Sequence, residues 1–544
     1  MSPSRRVRLS AIACLFVTFS MAAAAPAGAQ FSPFADDALR AADLGTDPLT
    51  RSPGLAGMGR LTFVGSDPHH RITLWDFAGN PTGVSEADSS STLDLRPGAG
   101  GASDVNDLLG TSQVRQTFAA HGTEVGYEAW KRQGDLAYGA IGNLGSAQVD
   151  RPFSDDVEHR RTLSAPWAMP VLNGVLPFTH SGRTRYALDI QWGEERVDSK
   201  YLAIIHNAGG DFISHDSEEL DAPNVLLPQS YDVRQIGGGA ALSHVFGSAL
   251  TAAARYEGVA VRIHGDDQGK RNDAHTSELR PYNIGEATLI GHVGSHIDWG
   301  VDGRGWRSTS EESWAFTISA GQGVAPLTGR GKLLEREEEG SSMRTRLLWH
   351  GGAFDFGGGI NTNYQKVTTT PPSVDDRSSF NYFLNTVFAT STADSISLAD
   401  SVVADVAKLH AWDGGLGLAW HLPGRRGIAG IEYHRSREIL DSETGGQGPR
   451  PISWDVRTGI EFGMTAALEG RAGYQFRWFD LDDFTHGNEY RSHLGTVGVG
   501  LHPPRSIWTL DLSYGVSSVR ADFGDPTEPR GTRQQFVSQV HWAF

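Results

Sequence analysis

The feature that most constrains this chain is the alternation of its last eleven residues, Gln534 to Phe544, which contain no glycine or proline. Phe536, Ser538, Val540, Trp542 and Phe544 fall on one face, and Gln535, Val537, Gln539, His541 and Ala543 on the other. A period of two is the signature of a β-strand. The first face is mostly apolar and the second smaller and more polar, so the segment suits a strand with lipid on one side and a lumen on the other. Phe536, Val540, Trp542 and Phe544 are therefore expected to belong to a barrel-closing C-terminal strand.

The opposite end points the same way. Arg5, Arg6 and Arg8 precede an apolar stretch from Leu9 to Ala25, and Ala27-Gly28-Ala29 forms a small-residue cleavage pattern before Gln30. This predicts a secretory signal peptide over residues 1–29. The stretch is short for a membrane anchor and ends in a cleavage pattern. Cys14 is the one cysteine, so a mature chain has none and is compatible with an oxidising compartment. Removing three arginines and no acid takes the formal charge from −17 to −20. That acidity argues against a nucleic-acid partner.

No stretch after residue 29 is apolar for long enough to form a membrane helix, so any spanning of a membrane falls to strands. Alternation recurs upstream of the terminus. Trp508, Leu510, Leu512, Tyr514 and Val516 oppose Thr509, Asp511 and Ser513; Ala472, Tyr474, Phe476 and Trp478 oppose Glu469, Arg471, Gln475 and Arg477; Val456, Thr458 and Ile460 oppose Asp455, Arg457 and Glu461. In a closed apolar core such charges would be costly, whereas a watery lumen solvates them. A soluble sandwich that turns them outward stays open as an alternative. Further strands are expected near 123–131, 134–143, 184–192, 199–206, 237–246, 250–264, 312–320, 342–350, 352–366, 409–422, 427–437 and 491–502. Residues 286–301 keep one phase across Gly294 and read as one long strand. Short links near 246–248, 350–352, 463–465 and 502–505 alternate with long segments near 144–183, 207–236, 265–284, 321–341, 367–408, 438–452, 479–490 and 519–533. Such alternation of short and long connections predicts a transmembrane antiparallel β-barrel of about sixteen strands, with fourteen or eighteen open. The tryptophans at 299, 314, 349, 420, 478, 508 and 542 fall near strand ends and are expected to form interfacial girdles.

Residues 30–110 lack sustained alternation and are assigned to an N-terminal plug-like segment, leaving 111–544 for the barrel. The segment holds Ser52-Pro53-Gly54-Leu55-Ala56-Gly57-Met58-Gly59-Arg60 and, further on, Trp75-Asp76-Phe77-Ala78-Gly79-Asn80-Pro81-Thr82-Gly83. Glycine permits close backbone approach, and Asn-Pro favours a turn. Over residues 52–84 this resembles the long-chain fatty-acid transporter (FadL-type) superfamily, in which a glycine-rich turn precedes an Asn-Pro-Ala-Gly-like motif; Thr82 stands where that family usually has alanine. The resemblance makes Gly54, Gly57, Gly59, Asn80, Pro81 and Gly83 the plug motif. It implies passive passage of hydrophobic or amphipathic small molecules through an outer-membrane barrel of a Gram-negative bacterium.

No His-Glu-x-x-His, Gly-x-Ser-x-Gly or phosphate-loop pattern occurs, so no catalytic residue, enzyme activity or cofactor is assigned. His69-His70 beside Asp67, Asp266-Asp267 near Asp273, and Asp480 with Asp482-Asp483 read as solvated turns, and no metal is assigned. The run Glu335 to Glu339 is expected in an extracellular loop. The expected partners are outer-membrane lipid and lipopolysaccharide, the barrel-assembly machinery and a hydrophobic small-molecule ligand. A different class, a non-transporting scaffold or secretion-accessory barrel, suits long loops equally. A continuous apolar lumen pocket would favour transport, and a lumen packed with paired charges a scaffold.

Overall fold

The computed structural model describes residues 90–105, 116–154, 157–176, 184–206, 212–216, 230–247, 249–268, 272–318, 327–371, 404–422, 427–443, 446–447, 452–480, 489–522 and 530–543. Alternating sequence becomes strand nearly throughout. In chain order the elements are β1 (Ser90–Val105), β2 (Gln116–Gln133), β3 (Leu136–Ser154), β4 (Val157–Val175), β5 (Thr184–His206), β6 (Phe212–Asp216), β7 (Ser230–Phe246), β8 (Leu250–Gln268), β9 (Asn272–Val293) and β10 (Ile297–Ile318). They continue with β11 (Leu327–His350), β12 (Phe354–Thr370), β13 (Asp405–His421), β14 (Gly427–Ser442), β15 (Gly446–Gln447), β16 (Ile452–Gly463), β17 (Leu468–Asp480), β18 (Glu489–Leu501), β19 (Trp508–Asp522) and β20 (Arg530–Ala543).

All twenty belong to one antiparallel sheet. The short strands β6 and β15 are side pairings on β5 and β14. The other eighteen follow one another in sequence order, and β1 pairs with β2 on one side and with β20 on the other, from Ser90 opposite Ala543 to Ser103 opposite Arg530. The ladder thus returns to its start and, among the described residues, leaves no long strand with a free edge, the state that hides backbone donors and acceptors from an apolar solvent.

Eighteen long strands fall within the range left open, and they differ from the expected pattern in four places, the first being that residues 184–192 and 199–206, expected as two strands, are one, β5. Residues 90–105, assigned by sequence to the plug-like segment, form β1. The supposed loop at 144–183 holds the end of β3 and all of β4. Residues 286–301 are two strands joined by a turn at Gly294, whose φ of 64° is open to glycine without strain. The phase survives the turn because Val293 and Ile297 are cross-strand partners, and partners share a face. Likewise, the supposed loops at 265–284 and 321–341 are largely strand, with β9, β10 and β11 running 22, 22 and 24 residues. About 9–11 residues suffice to cross a bilayer, so this side of the sheet continues well beyond it.

Burial alternates with sequence in an inverted sense. Ile190, Ile236, Leu416 and Val497 are more than half exposed, while Asp189, Glu278, Glu338, Glu432, Arg471 and Asp511 are buried. Apolar outside and charged inside is costly in water and favourable in a bilayer around a polar lumen. On the outer face at the short-turn end, Trp420 pairs with Phe354 and Trp542 with Trp508. Trp349 is exposed beside them, giving the aromatic girdle expected at an interface. Trp314 departs from that expectation, since it shares the inward parity of Ser308 and Ser310 and is buried.

Candidate functional site: the inner wall

The inner wall has two chemically different sectors. On β2–β7, near the short turns, Trp130, Ala137, Ile141, Met169, Val171, Ala187 and Ala241 form a buried apolar cluster. Register explains the grouping: Trp130 faces Gly139, which faces Val171, while Ile141 faces Met169. The Trp130 ring covers Gly139, where an added Cβ would lie 2.3 Å from it, so glycine is required for the indole to lie flat on the wall.

Beside this cluster the wall becomes ionic. Arg255 on β8 donates to Asp189 on β5 at 2.9 Å and lies 3.2 Å from Glu257. Gln191 donates to Glu257, and Gln235 to Gln191 at 2.9 Å. The two arms reach each other across β7 because the position between them is Gly239, where a Cβ would sit 2.9 Å from Asp189 and 3.0 Å from Arg255. Further round, Glu278 accepts from Arg280 at 2.6 Å and from Ser310 at 2.5 Å. Glu338 accepts from Tyr282, Trp306 and Gln365 at 2.9, 3.2 and 3.0 Å. Three donors satisfy one buried carboxylate, as burial of such a group requires.

Arg471 is the centre of the densest cluster. Its fully buried guanidinium meets Glu461 at 2.7 Å, Asp511 at 2.5 Å and Glu469 at 3.3 Å. His502, in the turn after β18, places Nε2 3.2 Å from Asp511 and Nδ1 3.4 Å from Glu469. Burial alone would lower the pKa of this imidazole, but hydrogen bonds to Asp511 and Glu469, together with their charges, hold it up at about 9. A folded pKa above the unfolded 6.5 stabilises fully below pH 6.5, and the contribution is lost as pH rises through about 9. The shift corresponds to at most about 3 kcal/mol. In urea titrations the midpoint of the wild-type protein should fall across this window and that of His502→Gln should not; equal slopes would refute the assignment.

At the same end, His292, Asp298, His350, Asp355 and His421 form an alternating chain at successive distances of 2.5, 3.0, 3.4 and 2.9 Å. It ties together the turns β9–β10, β11–β12 and β13–β14. Sequence reading missed these residues; the available signal was a histidine closing one strand and an aspartate near the start of the next. It did place Asp455, Arg457, Glu461, Glu469, Arg471 and Gln475 inward, but as solvated groups. The structure pairs them: Arg457 binds Asp455 at 2.9 Å, and Gln475 donates to the same carboxylate at 3.3 Å.

Of the sequence-derived site residues, Gly54, Gly57, Gly59, Asn80, Pro81 and Gly83 lie outside the described residues, as do residues 1–29 and Phe544. Phe536 and Trp542 are exposed on the outer face of β20, opposite Tyr514 and Trp508. Val540 shares their parity, opposite Leu510 and Leu93. The run Glu335 to Glu339 lies in β11, not in a loop. Glu338 points inward, while Glu337 pairs with Arg307 and Glu339 with Lys366 at 3.1 Å.

No protein-family model matches the chain, and no curated protein matches it. Solved structures are similar at low scores. The toluene transporter TodX of Pseudomonas putida is 10% identical, with 91% of this chain and 98% of that chain covered and a TM-score of 0.33. A FadL homologue of Pseudomonas aeruginosa is 11% identical over 90% and 98%, with a TM-score of 0.32. The ferric-catecholate import receptor Fiu of E. coli K12, in its closed form, is 10% identical over 84% and 82%, with a TM-score of 0.39. Scores this low leave the fold to rest on the strand pairing itself.

Proposed function

We propose that this protein is an outer-membrane channel for the passive passage of amphipathic small molecules. The observation that carries the reading is the junction on the inner wall between the apolar cluster of Trp130, Ile141, Met169 and Val171 and the Asp189–Arg255–Glu257 group. Asp189 is the direct cross-strand neighbour of Val171. A solute with an apolar body and a polar end finds both chemistries within one strand spacing. The cluster is closely packed, so entry requires that packing to open.

The rest of the wall supports a second reading. Its charges are largely satisfied by one another, as in a rigid scaffold barrel that transports nothing. Both readings put the apolar outer face in lipid, and neither assigns an enzyme activity.

The deciding experiment is removal of residues 30–89, stopping short of β1 so that the ladder can still close. In proteoliposomes the truncated barrel should pass small hydrophobic solutes several-fold faster than the full chain, while both migrate as folded, heat-modifiable species. Unchanged flux through a folded truncated barrel would leave the scaffold.

A further inference from the structure

We propose that the outer end of the apolar belt on β13–β18 is a docking surface for the phosphorylated glucosamine headgroup of lipopolysaccharide. The inference rests on the outer-membrane reading above, because that membrane's outer leaflet supplies such a lipid.

The belt has two aromatic levels. On β13, Trp420 marks the lower and Trp412 the upper, eight residues apart. At the rise of a strand and the usual tilt this is roughly 20 Å along the membrane normal, close to the height of a barrel's apolar band. Between them Leu416, Leu418, Ile431 and Tyr433 are exposed.

The upper level carries three arginines, and Asp480 and Glu489 stand in the same row as Arg437. Arg437 lies opposite Trp412 and Ile452, and Arg435 opposite Gly414 and Trp454. Trp454 faces Trp478, with ring centroids 6.2 Å apart, and Trp478 faces Arg491. Arg435 is exposed, and neither it nor Arg437 has an ion pair among the described residues. The Nε of Arg437 is buried without a hydrogen-bond acceptor. Arg491 is half-exposed and shares Glu489 at 3.1 Å.

The same outward face on β10–β12 is different. There Arg307 meets Glu337, Lys366 meets Glu339, and Lys332 meets Glu311 and Glu335. Arg435 and Arg437 thus differ from these three cations, each of which meets a carboxylate of a neighbouring strand. Guanidinium groups beside indoles, of which Trp412 is exposed and Trp454 and Trp478 half-buried, directly above an apolar surface, match an anionic amphiphile whose phosphate sits above its acyl chains. The bidentate fork of arginine suits phosphate oxygens, and the exposed guanidinium of Arg435 is open to them.

The test uses the full chain recovered from outer membranes and reconstituted in nanodiscs. Wild-type protein should retain bound lipid A in native mass spectra and prefer it to dephosphorylated lipid A and to phosphatidylglycerol. Arg435→Gln with Arg437→Gln should weaken that binding on the order of tenfold or more. Arg435→Lys with Arg437→Lys, which keeps the charge and guards against a folding failure of the first pair, should retain an intermediate affinity. Undiminished lipid A binding by either folded pair, or equal binding of phosphatidylglycerol by wild type, overturns the proposal. Failure of the wild-type chain to reach the outer membrane would instead overturn the reading on which it rests.

Discussion

Replacing Ile190 with arginine should destabilise the barrel in lipid by about 2–4 kcal/mol, the cost of that side chain near the bilayer midplane. Ile190 is 63% exposed on the outer face of β5. It lies six residues from the short-turn end at Thr184. In a soluble β protein an exposed isoleucine accepts arginine almost freely. Urea titrations of folding into phospholipid vesicles measure the difference directly. A change within about 0.5 kcal/mol would show that this face meets water, and the membrane reading would fail with it.

Arg471→Leu should cost about 3–5 kcal/mol, because it removes the one guanidinium that joins three carboxylates and leaves them facing one another in a buried site. The side chain of Arg471 is fully buried against Glu461, Asp511 and Glu469. Adding Asp511→Leu to Arg471→Leu should recover part of the loss, since it withdraws one of the stranded charges. The readout is the unfolding midpoint of the purified barrel together with its heat-modifiable migration. A loss below about 1 kcal/mol for the single variant would mean that water reaches the cluster and screens it.

Much of the fold was legible wherever alternation ran uninterrupted. The C-terminal segment became β20, and the inward charges of β16 and β17 lie on the expected face. Three local effects hid the rest. In β4, Pro166 and Pro170 cannot donate to a ladder, and the pairing with β5 skips both. That gap made a strand look like a loop. At Gly294 an odd-numbered turn preserved the phase of the alternation, so two strands passed for one. In β1, the run from Pro97 to Gly101 contains too few apolar side chains to alternate, yet its backbone pairs with β2 throughout and with β20 from Gly98 onward.

The ionic clusters were harder to foresee for a different reason. Asp189 and Arg255 are 66 residues apart, and Arg471 and Asp511 are 40 apart. Which inward charge meets which depends on the stagger between strands that are not neighbours in sequence, and no short-range pattern encodes it. Gly239 offered an indirect signal, a missing side chain on the inward face of β7 that two longer ones cross.

The pairing of β1 with β20 also dictates a timetable. Because Ser90 finds Ala543 only when the whole chain is present, the first strand leaves the ribosome with one edge that stays unmatched until the last strand exists. No contact made early can substitute, and closing so long a loop is slow. Until its distant partner arrives that edge is a template for pairing with the wrong chain, so the hazard of mispairing lasts as long as synthesis of the strands between them.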